Sequence, residues 1–77
     1  MRYRPIVNIY AISGETLARL QPGQWVCAGS PDVRGQLLGV GKSGFVAVAW
    51  AEREREFVRR GGTRAEYRAA RRITVGS

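Results

Sequence analysis

The stretch GQLLGVGKSGFVAVAWA, residues 35–51, contains the longest apolar segment of this chain. Two apolar runs, Gln36–Val40 and Phe45–Ala51, are separated by the glycine-bearing sequence GKSG. This arrangement is typical of a β-hairpin closed by a four-residue loop. In the second run larger side chains alternate with alanines, so a strand would carry Val46, Val48 and Trp50 on one face. We therefore expect the rest of the chain to pack on this hairpin.

The glycines of this stretch also fit two phosphate-binding patterns. Gly39, Gly41 and Gly44 have the spacing of a dinucleotide-binding loop, and the sequence GKS resembles the end of a P-loop. Both patterns need a helix directly after the loop, whereas Phe45-Val-Ala-Val favours a strand, and Gln36 stands where the P-loop needs its first glycine. A chain of 77 residues has no room for the other βα units of a nucleotide-binding domain. We interpret the glycines as turn formers.

Length and composition predict one small domain, residues 1–77, with a single modest core. The lone cysteine, Cys27, excludes an internal disulfide and a cysteine-based metal cluster, and the absence of histidine removes the commonest metal ligand and general base. We expect no enzyme activity, no catalytic residues, no metal and no cofactor. A core of this size supplies little stability by itself, and homo-oligomerisation is one way to add to it.

The sequence has no apolar run long enough to span a membrane, and its N-terminus lacks the apolar core of a signal peptide. We therefore expect a cytoplasmic protein without a membrane partner. The net charge is +7, from 13 basic and 6 acidic residues, and 12 of the basic residues are arginines. This balance favours a polyanionic partner, because the arginine fork matches phosphate geometry. Biased genome composition is the alternative explanation.

The segments before the hairpin predict two strands and a short helix. Arg2–Ile12 suits an edge strand that begins after Pro5. Ser13 is a candidate N-cap for a helix through Leu20, which we interpret as a plug over the core. Gln24–Ala28 reads as a strand, in which Cys27 is expected to be a small buried residue. Trp25, like Trp50, is expected to belong to the core, and the alternative is a stacking platform for a base.

The charged segment Glu52–Glu56 has two interpretations. Its charges alternate in sign with a period of two, which predicts a strand that turns back, so that residues 56–60 pair with Phe45–Ala51. A helical stripe is the second interpretation, and its members are Ala47, Trp50, Ala51, Glu54, Phe57 and Val58. Gly61-Gly62 would end such a helix, and the residue types favour a helix. We favour strand-turn-strand here, because the hairpin needs a partner after Trp50.

Thr63-Arg-Ala-Glu66 is a capping box, in which each side chain hydrogen-bonds to the backbone N–H of the other residue. It predicts a helical segment to about Arg71 or Arg72, followed by a terminal strand at Ile73–Val75. Four arginines recur on one face of this segment, namely Arg64, Arg68, Arg71 and Arg72. We expect that face to point to solvent, while Ala65, Ala69, Ala70 and Ile73 face inward.

The resulting order of strands resembles the SH3-like small β-barrels of the KOW and Tudor type. The resemblance lies in Pro22–Val26, Gly35–Val40, Gly44–Trp50 and Arg71–Val75. It is a likeness of pattern and implies a mainly β fold, a partly open antiparallel barrel of about five strands over residues 22–75. Residues 1–21 would form an N-terminal extension with the short helix, and the basic helical segment would precede the last strand.

Fold and charge together predict a small basic module that binds DNA or RNA through its phosphate backbone. The candidate nucleic-acid-binding residues are Arg59, Arg60, Arg64, Arg68, Arg71, Arg72 and Lys42. A small regulatory factor of the kind that mobile elements encode fits this description. The alternative function is a protein-interaction factor whose strand edge or basic helix docks on an acidic partner.

Overall fold

The computed structural model describes residues 6–41 and 45–71. It contains four strands and three helices in these residues. The strands are β1 (Val7–Asn8), β2 (Trp25–Ala28), β3 (Ser30–Val40) and β4 (Val46–Trp50). The helices are α1 (Gly14–Ala18), α2 (Ala51–Arg59) and α3 (Arg64–Arg71). The predicted strand Ile73–Val75 lies outside the described part of the chain, and so do residues 42–44 of the predicted four-residue loop.

The predicted hairpin is confirmed, because β3 and β4 pair antiparallel with Leu37 opposite Val48 and Val40 opposite Val46. The sheet has the order β1-β2-β3-β4, with β1 parallel to β2 and the other pairs antiparallel. The predicted mainly β barrel is wrong. Within residues 6–41 and 45–71 the sheet is open and mixed, β4 lies at its edge, and the three helices make the fold mixed α/β.

One face of the sheet carries the core. Val26, Leu37 and Val48 are buried together, and Trp50 packs against them. The N-terminal segment belongs to this core, since Val7, Ile9 and Leu20 also pack on it. Gly35 makes the packing of β3 against β4 possible, because a Cβ atom there would lie 2.4 Å from the carbonyl oxygen of Ala49 and 2.8 Å from the Cα of Trp50.

The preferred interpretation of Glu52–Glu56 as strand and turn is wrong, because these residues lie in α2. A Schellman motif ends the helix. The N–H of Gly62 donates to the carbonyl of Phe57 at 3.1 Å, and that of Gly61 to the carbonyl of Val58 at 3.0 Å. Gly61 has φ 104°, which glycine adopts without strain. With helix-favouring residues before this stop signal, the chain after Trp50 leaves the sheet and cannot close a barrel.

Both predicted N-caps are confirmed. Ser13 precedes α1, and its hydroxyl accepts a hydrogen bond from the backbone N–H of Thr16 at 3.2 Å. Before α3, the hydroxyl of Thr63 accepts from the N–H of Glu66 at 3.1 Å, and the carboxylate of Glu66 accepts from the N–H of Thr63 at 3.2 Å. These short-range signals locate the starts of two helices correctly.

The predicted orientation of α3 is wrong. Ala65, Ala69 and Ala70 are exposed, and the buried residue is Tyr67. The centroid of the Tyr67 ring lies 5.5 Å from the centroid of the Phe57 ring on α2. An aromatic ring buries far more apolar area than an alanine methyl group, so the side of α3 that carries Tyr67 turns towards α2. Trp25 also differs from the prediction, since it is 38% exposed, whereas Cys27 is buried as expected.

Candidate nucleic-acid interface

A carboxylate on α2 joins the two C-terminal helices. Glu54 is only 8% exposed. Arg68 donates to it from Nε at 2.7 Å and from Nη2 at 3.3 Å, and the Nε of Arg64 lies 3.4 Å from Oε1 of the same carboxylate. We refer to Glu54, Arg64 and Arg68 as the Glu54 cluster. A forked pair of this kind fixes the orientation of both side chains.

The hydrogen bonding of the Arg68 guanidinium to the Glu54 carboxylate raises the pKa of Arg68 above its ordinary value. Partial burial of the guanidinium opposes this effect, and the negative charge of Glu54 adds to it. The charged form of Arg68 is therefore favoured, and its charge is matched by Glu54 inside the protein. A phosphate would have to compete with Glu54 for this guanidinium.

On the other side of α2, seven side chains line an open groove of about 530 Å³. Three of them are the cations Arg53, Arg60 and Arg71, and the others are Phe57, Tyr67, Glu52 and Glu56. We call it the arginine groove. The guanidinium carbon of Arg71 lies 3.7 Å from the centroid of the Tyr67 ring, a cation–π contact that holds the guanidinium at the groove.

Helical spacing explains how the groove forms. Arg53 and Phe57 on α2 and Arg60 at its C-cap stand at i, i+4 and i+7, so they share one side of that helix. Tyr67 and Arg71 stand at i and i+4 on α3. The chain reversal at residues 60–63 then sets these two rows side by side, and cations from both helices face the same solvent-filled space.

The structure divides the predicted binding residues into separate groups. Arg64 and Arg68 belong to the Glu54 cluster. Arg59 and Arg60 both form exposed ion pairs with Glu56 on α2, the latter at 3.0 Å, and exposed pairs of this kind hold their partners weakly. Arg71 lines the arginine groove. Lys42 and Arg72 lie outside the described residues.

The sequence analysis did not single out Arg53, Arg34 or Tyr10. Arg53 lines the arginine groove and also a second groove, of about 280 Å³, with Arg34 and Tyr10. The helical spacing of Arg53, Phe57 and Arg60 could have identified Arg53 as a site residue. The interpretation of this segment as strand and turn left that spacing unused. No local signal brings Tyr10 and Arg34 to the same surface, because their proximity depends on the pairing of β1 with β2.

In the part of the chain that the structure describes, no group of three or more histidine, cysteine, aspartate or glutamate residues lies close enough to hold a metal ion. Nor does any helix of residues 6–41 and 45–71 have the length and apolar character needed to cross a membrane.

Comparison with models of known protein families gives no match, and neither does comparison with curated proteins or with solved structures. The function of this chain is therefore inferred from the placement of its own residues.

Proposed function

We propose that this protein is a small nucleic-acid-binding module that contacts the phosphate backbone through the arginine groove. The observation that carries the proposal is the convergence of Arg53, Arg60 and Arg71 from two helices on one open groove. Arginine forks bind phosphate oxygens in pairs. The overall charge of +7 attracts a polyanion over longer distances.

The balance of charge in the groove favours an extended polyanion over a small anion. Glu52 and Glu56 line the groove beside the three arginines, so its own surplus is small and a single phosphate gains little there. A nucleic acid places several phosphates along the surface at once, and each arginine then meets a different one. Neutralising several phosphates releases counterions, which supplies most of the affinity in binding of this type.

Arg71 and Arg53 are the two arginines on which we place the main contacts. Neither has an acidic partner among the described ion pairs, whereas Arg60 shares Glu56 with Arg59. The Glu54 cluster, which contains Arg64 and Arg68, has a structural role. Its net positive charge adds to the electrostatic field of the whole protein. We retain a cytoplasmic location as part of the proposal.

Titration of labelled single-stranded DNA, duplex DNA and RNA with the purified protein tests the proposal. Changing Arg53 and Arg71 together to glutamine should weaken binding on the order of tenfold, as expected for the loss of charge-assisted contacts. The matched control changes Arg19 and Arg55 to glutamine, which removes the same charge outside the groove. If the wild-type protein binds no nucleic acid at low salt, the proposal fails and the alternative of an acidic protein partner takes its place.

A further inference from the structure

Beside the arginine groove lies a second groove that combines apolar and charged side chains. Its volume is about 280 Å³, and Tyr10, Val33 and Trp50 supply its apolar surface. Arg34, Arg53, Asp32, Glu52 and Ala28 complete its lining. We call it the aromatic cleft. Since Arg53 also lines the arginine groove, the two sites form one continuous surface.

Tyr10 is fixed in position although its side chain is exposed. The Oδ1 atom of Asn8 accepts a hydrogen bond from the backbone N–H of Tyr10 at 3.1 Å, and a second from the N–H of Gly29 at 3.1 Å. The Tyr10 ring also lies against Gly29, since a Cβ atom there would be 3.6 Å from it. Tyr10 nevertheless remains 76% exposed. An exposed aromatic ring on an anchored backbone can stack on a flat partner at a smaller cost in conformational entropy.

From this geometry we infer that the aromatic cleft binds an unpaired base of a single-stranded nucleic acid, whose phosphates lie in the arginine groove. This inference rests on the proposed function. Bases stack on exposed aromatic rings independently of sequence. Inside a duplex the bases are already stacked on their neighbours and cannot reach Tyr10, so the cleft distinguishes single strands from duplexes.

The charges of the cleft favour a base over a phosphate. Asp32 and Glu52 offset Arg34 and Arg53, so the cleft carries no local surplus to hold an anion. Carboxylates accept hydrogen bonds from base amino and imino groups, and guanidinium groups donate to base carbonyls and ring nitrogens. Phosphate neutralisation then occurs in the arginine groove, and base contact occurs in the cleft.

Tyr10→Ala tests this inference, with Tyr10→Phe as the rescue variant because phenylalanine keeps the stacking ring. Phe45→Ala is the matched control, since Phe45 is 71% exposed and lines neither groove. Single-strand affinity should fall about tenfold for Tyr10→Ala, recover in Tyr10→Phe, and stay unchanged in Phe45→Ala. Duplex affinity should stay the same in all three. Trp50 also packs on the core, so its substitution would change stability as well as binding.

The direct readout of stacking is the fluorescence of a single strand that contains 2-aminopurine, which is quenched when the base stacks on an aromatic ring. Wild type and Tyr10→Phe should quench it, and Tyr10→Ala should not. The inference is overturned if Tyr10→Ala binds single strands as the wild type does, or if it loses single strands and duplexes equally. In either case the loss of affinity in the Arg53 and Arg71 double variant would still support the proposed function. If the wild-type protein binds neither form, both fail.

Discussion

The guanidinium of Arg68 on α3 donates two hydrogen bonds, of 2.7 and 3.3 Å, to the carboxylate of Glu54 on α2. The two residues are fourteen positions apart in the chain, and their contact acts together with the packing of Tyr67 on Phe57 to orient α3 towards α2. The same contact removes Arg68 from the surface that a polyanion would reach first. One ion pair thus both joins the two helices and leaves phosphate binding to the other arginines.

Glu54→Gln should lower the free energy of unfolding by about 1.5–3 kcal/mol, because a charged hydrogen-bond acceptor is lost and two arginines remain at a site without their counter-ion. Chemical denaturation measures the change. The pKa of Arg68 is raised in the folded state, so its contribution is fully present below the unfolded arginine pKa and is lost only as pH rises through the folded value. The effect of Glu54→Gln should therefore be constant from neutral to moderately alkaline pH.

Glu52→Gln is the control for this variant, since Glu52 also lies in the first turn of α2 and interacts with the same helix dipole. Its effect should stay below about 1 kcal/mol. Equal losses for the two glutamates would mean that the helix dipole, and not the Glu54 cluster, accounts for the stabilisation.

Gly35→Ala should destabilise the protein by about 1–3 kcal/mol through overpacking. The new Cβ would lie 2.8 Å from Cγ1 of Val48 and closer still to the backbone of Ala49, so β3 and β4 would have to separate. Gly39→Ala, in the same strand, places its Cβ in open space. The free energy of unfolding of Gly39→Ala, measured by thermal or chemical denaturation, should stay within about 0.5 kcal/mol of the wild-type value. A tolerated Gly35→Ala would show that this pairing of β3 and β4 is incorrect.

Asn8→Ala should cost about 1–3 kcal/mol, because two backbone N–H groups, those of Tyr10 and Gly29, lose their acceptor. It should also weaken single-strand binding, since Tyr10 is no longer held in place. Asn8→Asp keeps the oxygen acceptor, and both properties should be restored largely to the wild-type level. Denaturation and single-strand titration of the two variants provide the measurements. Restored stability without restored binding would mean that Asn8 does not act through the position of Tyr10.

The elements that could be predicted from the sequence are those encoded within a few residues. The Ser13 cap, the capping box at Thr63 and the hairpin of β3 and β4 all depend on neighbours in the chain, and all are confirmed. Glu52–Glu56 could not be assigned in this way, because alternating charge and a helical stripe coexist there. The residue types and the Gly61-Gly62 stop signal favour the helix locally. The contacts that add to them, above all those between Glu54 and Arg68, are distant in sequence.

The candidate site was predicted less well than the fold elements. The surplus of arginines in the C-terminal part is visible in the sequence, and Arg60 and Arg71 do meet in one groove. The face of α3 that was expected to point to solvent turns instead towards α2, because Tyr67 shares it and Glu54 faces it. The position of Tyr10 at the site depends on the sheet, because the pairing of Asn8 with Cys27 brings the N-terminal segment beside the start of β3.

The salt dependence of binding separates specific phosphate contacts from a general attraction to a basic protein. The logarithm of the affinity falls linearly with the logarithm of the salt concentration, with a slope of about 0.7–0.9 for each phosphate neutralised. Changing Arg53 and Arg71 to glutamine should therefore reduce the slope by about 1.4–1.8. The Arg19 and Arg55 pair removes the same net charge and should leave the slope close to the wild-type value. The reduction should be alike for all sequences, whereas a loss confined to one sequence would indicate base readout by Arg53 or Arg71. Equal slopes for the two double variants would mean that the arginine groove makes no phosphate contacts of its own.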